Sequence, residues 1–281
     1  MLRWVIDVSY EGPRERAVAG TTAAGGPSTT LISLSIIHAL LESGGEDGVS
    51  ALAAKVGVPK ARVHRHLAVL KDAGYITQDE VTKRYRVGWR LYLLGQDLVG
   101  QFDVVRIAKP AMEELREAVG QTTVLTTFTD EEVVVLDVLS GRSPVDIVLH
   151  PGVRFGYHCV AQGKVGLAFG PRRWLDAALR GMTPNTVHTI TDAATLEAEL
   201  ELVRRQGWAD APEEIYTGVN AIAAPVFSAQ GEPMGAMAVV GSIHYLPTTP
   251  SPHTVSAVLR GAEQLSRRIG YTGPYPPELD R

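Results

Sequence analysis

The stretch SALAAKVGVPKARVHRHLAVLKDAGYIT, Ser50 to Thr77, decides the reading of the fold. Leu52, Ala53 and Val56 fall on one face of a helix that Ser50 can cap and Gly57 closes. Pro59 then stands where the next helix has its first residue, a position proline tolerates because that N–H would lack a partner anyway. Val63, Leu67 and Leu70 recur at helical spacing, and Gly74 stops the run. Two helices joined by a short glycine-containing turn predict a helix-turn-helix. Upstream, Leu34, Ile37, Leu40 and Leu41 predict a supporting helix from Leu31 to Leu41, ended by Gly44 and Gly45. Downstream, Tyr75-Ile76-Thr77 and Arg84-Tyr85-Arg86-Val87 flank a polar turn from Gln78 to Thr82 and predict a β-hairpin. A hairpin directly behind the last helix is the wing of a winged helix-turn-helix.

Charge sharpens that reading. The 281 residues carry 27 Lys+Arg and 31 Asp+Glu, a net charge of −4, which by itself speaks against a polyanion binder. The sign is not uniform along the chain. Residues 1–48 hold 3 basic and 6 acidic side chains, residues 49–90 hold 9 and 3, and residues 91–281 hold 15 and 22. A module of net +6 is thus fused to an acidic body of net −7, and such asymmetry points to a part that faces nucleic acid. A solvated basic face that binds nothing is the plain alternative, and the helix-turn-helix pattern decides against it.

Other classes fall away on composition. The length suits about two domains, and no apolar run approaches the ~18 residues of a membrane span, which excludes a transmembrane helix. One cysteine excludes an internal disulfide framework and a cysteine-rich zinc site. No charged segment leads into an apolar stretch at the N-terminus, so no secretory signal is read and the expected location is cytoplasmic. His158-Cys159 is the single adjacent His–Cys pair, but sequence neighbours point apart and a lone cysteine is more often an inert small hydrophobe, so no enzyme is expected. The eight histidines (His38, His64, His66, His150, His158, His188, His244, His253) include no i,i+4 pair, and neither metal nor cofactor is expected.

Residues 1–29, with Gly25-Gly26-Pro27 and no sustained period, are expected to form a disordered leader. The winged helix-turn-helix takes residues 30–88. Residues 89–108 read as a linker helix whose apolar stripe, Leu91, Leu94, Leu98, Phe102 and Val105, can pack against the core below it or against the same helix of a second subunit, and dimerisation is the favoured reading. From residue 109 to 271 the chain alternates between a helix at Ala111–Val119, strands at Val124–Phe128, Val133–Val138 and Val145–Leu149, helices at Ala161–Phe169 and Leu196–Val203, strands at Ala221–Phe227 and Met234–Val240, and a last helix from Thr254 to Ile269. Strands that follow one another directly predict an α+β domain with an antiparallel sheet. Residues 272–281 read as a flexible, proline-rich tail.

On the predicted reading helix, Ala61, Arg65 and Ala68 project outward with Arg62 and His64 at the flanks, and Lys60 opens the helix. Small residues between long donors let such a helix approach a major groove while Arg65 reaches a guanine edge. His66 lies on another side of the same helix and is expected to meet solvent or phosphate. Lys83, Arg84 and Arg86 on the wing suit phosphate contacts, which set register without carrying sequence information. Lys55 and Lys71 read as solvated. Winged helices also serve as protein-interaction modules, and a ligand-binding or interaction module that has lost DNA binding is the alternative function.

The run Ser50-Ala51-Leu52-Ala53, Gly57-Val58-Pro59-Lys60, Val63-His64-Arg65, Gly74-Tyr75 and Tyr85-Arg86-Val87-Gly88 resembles the IclR family of bacterial transcriptional regulators. His158 to Lys164, Gly207-Trp208-Ala209, Glu213-Glu214, Gly218-Val219 and Ala223-Ala224-Pro225-Val226-Phe227 resemble the effector domain of the same family. The match runs from about Leu31 to Ile269. The resemblance implies a homodimer or dimer of dimers, an N-terminal winged helix that binds a double-stranded DNA operator, and a C-terminal GAF-like domain that binds a small-molecule effector.

The resemblance also implies a pocket. Family members that sense short carboxylic acids hold the acid through backbone groups at the positions of Ala161 and Gln162. Their further polar positions, an acidic residue, a cysteine and two strand serines, are here Ala211, Ala221, Ala238 and Val240. Ile147, Phe155, Val219 and Ala236 would add apolar lining. An apolar pocket with few polar anchors favours an effector with an aromatic or aliphatic body over a short oxoacid, because unpaired carboxylate oxygens are costly there. Loss of ligand sensing is the other reading of the same substitutions.

Overall fold

A computed structural model describes residues 4–7, 29–101 and 103–277, with the backbone alone at 4–7, 96–101 and 103. The described residues form two compact units divided between residues 102 and 103, and a short strand near the N-terminus belongs to the second. That strand, β1 (Trp4–Asp7), runs parallel to Val145–Val148, with Trp4 opposite Val145 and Asp7 opposite Val148. The leader expected to be disordered across residues 1–29 therefore contains paired backbone. Its four residues, WVID, place two β-branched side chains in a row, which fits a pleated edge but is too short to carry a period. The rest of the expected leader up to residue 28 lies outside the described residues.

The first unit is the winged helix. It comprises α1 (Thr29–Glu42), β2 (Glu46–Asp47), α2 (Val49–Val56), α3 (Lys60–Asp72), β3 (Ile76–Gln78), β4 (Tyr85–Val87) and α4 (Trp89–Gln101). Its core joins Ile32, Ile36 and Leu40 of α1 to Leu52 of α2, Val63, Leu67 and Leu70 of α3, and Ile76 and Tyr85 of the wing. The inward face of α1 is turned from the expected one: Leu34 and Leu41 are exposed, while Ile32, Ile36 and Ala39 are buried. In so apolar a helix several stripes compete, and packing against α2 and α3 selects one. α2 starts at Val49 behind Gly48 and uses no side-chain cap, so Ser50 does not cap it. Gly57 closes α2 at φ 70°, a left-handed conformation that favours glycine. The wing has three strands in the order β2-β4-β3, because Glu46 and Asp47 pair with Arg86 and Tyr85.

The second unit continues with α5 (Asp103–Val119), β5 (Thr122–Phe128), β6 (Val133–Leu139), β7 (Val145–Val148), β8 (Arg154–Phe155), a 3-10 turn at Tyr157–Cys159, α6 (Ala161–Phe169), α7 (Arg172–Leu179), α8 (Ala193–Gln206), β9 (Ala209–Asp210), β10 (Val219–Phe227), β11 (Pro233–Ser242) and α9 (Pro252–Ile269). Six strands form an antiparallel sheet in the order β8-β6-β5-β11-β10-β9. Period-two alternation sorts its side chains. Val219, Ala223 and Phe227 of β10, with Ala236, Ala238 and Val240 of β11, join α6 and α8 on one face. Ile222, Ala224, Val226, Met237 and Val239 join α5 and α9 on the other.

Three expected boundaries change here. The linker helix expected over residues 89–108 is divided, and α5 belongs to the second unit. Val105, assigned to the dimer stripe, is half-buried against Ala108 and Met112 of its own unit. α5 runs through Pro110, where the sequence reading started a new helix. A proline inside a helix costs about 3 kcal/mol, but the buried face of Ala108, Ala111, Met112 and Leu115 spans it and holds both halves to the sheet. The tail expected to be flexible from residue 272 is packed as far as residue 277. Tyr275 donates its hydroxyl to the Pro225 carbonyl at 2.8 Å and meets Phe227 edge-on.

Candidate functional site

The outward face of α3 follows from its inward one. With Val63, Leu67 and Leu70 buried, Lys60, Ala61, His64, Arg65 and Ala68 are exposed, and Arg62 is half-buried at the flank. No side chain caps α3 at its N-terminus, so its first N–H groups and positive dipole end remain for a phosphate. His66 departs from expectation. It is buried, with Nδ1 2.8 Å from the Ser33 hydroxyl, and burial together with Arg62 and Arg65 holds its pKa below the usual histidine value. It binds α3 to α1 instead of meeting phosphate.

The wing presents Lys83 and Arg84 on an ordered turn. Asp79 Oδ1 accepts from the Val81 N–H at 3.0 Å, the Thr82 N–H at 2.7 Å and the Thr82 hydroxyl at 2.9 Å. These bonds keep its carboxyl below the ordinary range. Lys83 sits at φ 57°, and the Gln78 amide donates to its carbonyl at 3.1 Å. Val81 is exposed at the tip, a position that sequence reasoning passed over. Arg86 is exposed too, and its guanidinium pairs with Glu46 at 2.9 Å. A hairpin read without its third strand could not reveal that partner. Lys55 likewise pairs with Asp47 at 2.8 Å, and Arg90 donates to the Ala73 carbonyl at 3.0 Å while lying over the Tyr75 ring. Lys60, Arg65, Lys83 and Arg84 of the helix and wing are exposed, as are Lys71 and Arg86, whose side chains are bonded to Gln78 and Glu46.

The second unit holds a cavity of about 450 Å³, measured out through its open mouth. Of the ten effector positions inferred from sequence, Ile147, Phe155, Gln162, Ala211, Val219, Ala221 and Val240 line it. Ala161, Ala236 and Ala238 do not. All three are fully buried; α6 packs on β10 and β11 there, and these small side chains end inside that contact. Sequence reasoning missed Leu149, Cys159, Val160, Ile215, Tyr216 and Asn220. Leu149 was legible, since it lies two residues beyond Ile147 and shares its side of an extended chain. Ile215 and Tyr216 lie in an irregular segment before Gly218, where no period operates.

α6 explains the Gly-Lys motif. A Cβ on Gly163 would stand 2.1 Å from the Tyr157 carbonyl oxygen, so only glycine lets the helix start there. Lys164 is buried, and its Nζ donates to Glu214 Oε1 at 2.5 Å and to the Asp210 carbonyl at 2.9 Å, with Glu199 at 3.5 Å. Burial raises the carboxyl pKa of both Glu214 and Asp210, and Lys164 offsets part of that rise. The adjacent His158 and Cys159 form no catalytic pair. His158 Nε2 bonds the Thr183 carbonyl at 3.0 Å, the Cys159 thiol faces the Gly156 carbonyl at 3.5 Å, and burial pushes that thiol up to about 12. Among the described residues no three His, Cys, Asp or Glu side chains gather as metal ligands, and no helix is long and apolar enough to cross a membrane.

Comparison with known proteins agrees with both halves. Residues 29–80 match the model of the IclR helix-turn-helix domain, and residues 96–267 match that of the bacterial transcriptional regulator IclR C-terminal domain. A glycerol operon regulatory protein of Streptomyces griseus is 30% identical over 234 residues, 82% of this chain and 92% of that protein. A crystal structure of an IclR-type regulator from Silicibacter sp. TM1040 superposes with a TM-score of 0.77 at 27% identity, covering 90% of this chain and all of that one. An IclR homologue from Microbacterium hydrocarbonoxydans, solved in complex with 4-hydroxybenzoate, has a TM-score of 0.72 at 22% identity, covering 84% of this chain and 98% of that one.

Proposed function

The chain belongs to the IclR family of bacterial transcriptional regulators, and from that premise we infer how its own residues divide the work of a regulator. It has an N-terminal helix-turn-helix DNA-binding domain and a C-terminal effector-binding domain. We take residues 30–88 as the part that docks on an operator and the cavity of the second unit as the effector chamber. The observation that carries this reading is that Lys60, Arg65, Lys83 and Arg84 are exposed on the α3 helix and the wing with no side-chain ion pair among the described residues, while the likewise exposed Arg86, Lys55 and Arg90 are bonded to Glu46, Asp47 and the Ala73 carbonyl. Arg65 reads a base edge, assisted by Ala61, Arg62 and His64, and Lys60, Lys83 and Arg84 hold phosphates. The chain works in the cytoplasm as a homodimer, with no catalytic role.

The effector is more apolar than a short oxoacid. Ala211, Ala221 and Val240 line the cavity with Ile147, Phe155 and Val219, so a small polar anion would leave most of its surface against hydrocarbon. The Microbacterium homologue of the same fold holds 4-hydroxybenzoate, a ligand of that kind.

Footprinting on the DNA upstream of the gene tests the reading. The protein is expected to protect one site with approximate two-fold symmetry. Arg65→Ala should reduce the preference for that site over its point variants by about 1–3 kcal/mol at one base pair of each half. Arg84→Ala should weaken all sequences alike. Absence of any protected site at low salt would overturn the DNA-binding role and favour an interaction module.

A further inference from the structure

We propose that β1 is a strap on the cavity of the second unit: it supplies the backbone ladder that holds β7, one wall of the cavity, in place, and its release opens the cavity to ligand. The inference goes beyond the division of labour proposed above and rests on it in one respect, that the cavity is the effector chamber.

β7 stands apart from the six-stranded sheet, and its strand partner among the described residues is β1, paired in parallel from Trp4 opposite Val145 to Asp7 opposite Val148. Side chains alternate along an extended chain, so Ile147 and Leu149 share one side. Both line the cavity, at 1% and 6% exposure. Asp146 points the other way: it is buried and accepts from the Thr122 hydroxyl at 2.7 Å, which ties β7 to the start of β5. The wall is therefore held in two ways. Asp146 fixes it by a side chain, and β1 takes up backbone groups along the edge of β7 that would otherwise lack a ladder partner.

A four-residue parallel pair is a weak ladder. Parallel pairing is slightly less stable per residue than antiparallel, and two strands without further partners are marginal. β1 thus belongs to the low-stability end of the fold, from which binding-site lids are drawn. It is also an addition to the shared plan of these regulators. The residues that match the two IclR domain models begin at 29, so β1 lies outside the common pattern. The chain runs on from β1 into α1, whose Ser33 hydroxyl lies 2.8 Å from His66 Nδ1 on α3. The strap is a covalent link from the chamber wall to the DNA-binding domain, separate from α4.

Cys159 reports on the wall, because it is the one cysteine of the chain and lines the same cavity. Val5→Pro combined with Ile6→Pro removes two adjacent donors from β1, one of which faces β7 in a parallel ladder. In the full chain, hydrogen exchange read by mass spectrometry is expected to show residues 145–148 losing protection in this variant while β5 and β11 keep theirs. N-ethylmaleimide should then alkylate Cys159 at least about tenfold faster than in the unaltered chain. Val5→Ile combined with Ile6→Val keeps both donors and should leave both readings unchanged. If a melting curve shows the proline variant destabilised as a whole, a chain lacking residues 1–8 takes its place. Unchanged protection of residues 145–148, or equal alkylation rates (none in either protein included), would overturn the strap. Operator retardation by the unaltered chain separates the two levels. DNA binding with unchanged exchange and alkylation fells the strap alone, and loss of DNA binding fells the regulator reading beneath it.

Discussion

Lys164 is a positive charge inside a hydrophobic core, and its three oxygen neighbours are the reason it can be there. Removing one partner of a buried pair leaves the other uncompensated, at a cost of about 3–5 kcal/mol. Lys164→Met should lower stability by that amount in urea denaturation, and adding Glu214→Leu should restore most of it. The pH dependence follows from Glu214, whose carboxyl pKa burial already raises and Lys164 holds down. Without Lys164 it rises further. A carboxyl with a raised folded-state pKa contributes stability below its unfolded value and loses it as pH rises through the folded one. The deficit of Lys164→Met should therefore be larger at pH 8 than at pH 5, and a deficit independent of pH would contradict this role. At this scale the sequence showed which residues belong to a motif but not who meets them. Lys164 finds its partners 46 and 50 positions away, and Arg86 finds Glu46 at a separation of 40. His66 was misread because its partner, Ser33, lies on a helix whose inward face was itself misassigned.

Elements were more legible, because period and punctuation are local. Gly57 and Gly74 end helices at φ 70° and 75° where the sequence puts them, and α6 spans Ala161–Phe169 as read from its apolar run. What escaped were elements held by tertiary pairing alone, such as the two-residue strands β2, β8 and β9. α4 carries the prediction proper to this scale. Trp89 is 78% exposed, and Tyr92, Leu93 and Leu94 are exposed beside it, with Leu91 half-buried. An apolar surface of this kind on a helix marks an association face. The Leu98 side chain and Phe102 lie outside what the structure describes, and Val105 belongs to the second core, so the stripe proposed for dimerisation begins with Leu91 and Leu94. Leu94→Glu should shift the sedimentation coefficient toward the monomer at micromolar concentration and weaken operator binding with it. An unchanged coefficient would remove α4 from the interface.

The whole molecule is best understood through its charge. A net −4 conceals +6 on residues 49–90 and −7 on residues 91–281. The structure refines the positive part, since Lys55 and Arg86 are paired with acidic groups of β2. Lys60, Lys83 and Arg84 on each protomer would release about six counterions from a dimer's operator, and log K falls by about 0.9 for each in B-DNA. The decisive measurement is a fluorescence-anisotropy titration of the footprinted site and of a scrambled duplex across a salt series. The expected result is a slope of log K against log salt near about −5, with the site bound at least about a thousandfold tighter than the scramble. A shallow slope, or equal binding of the two duplexes at low salt, would contradict a winged helix that reads DNA.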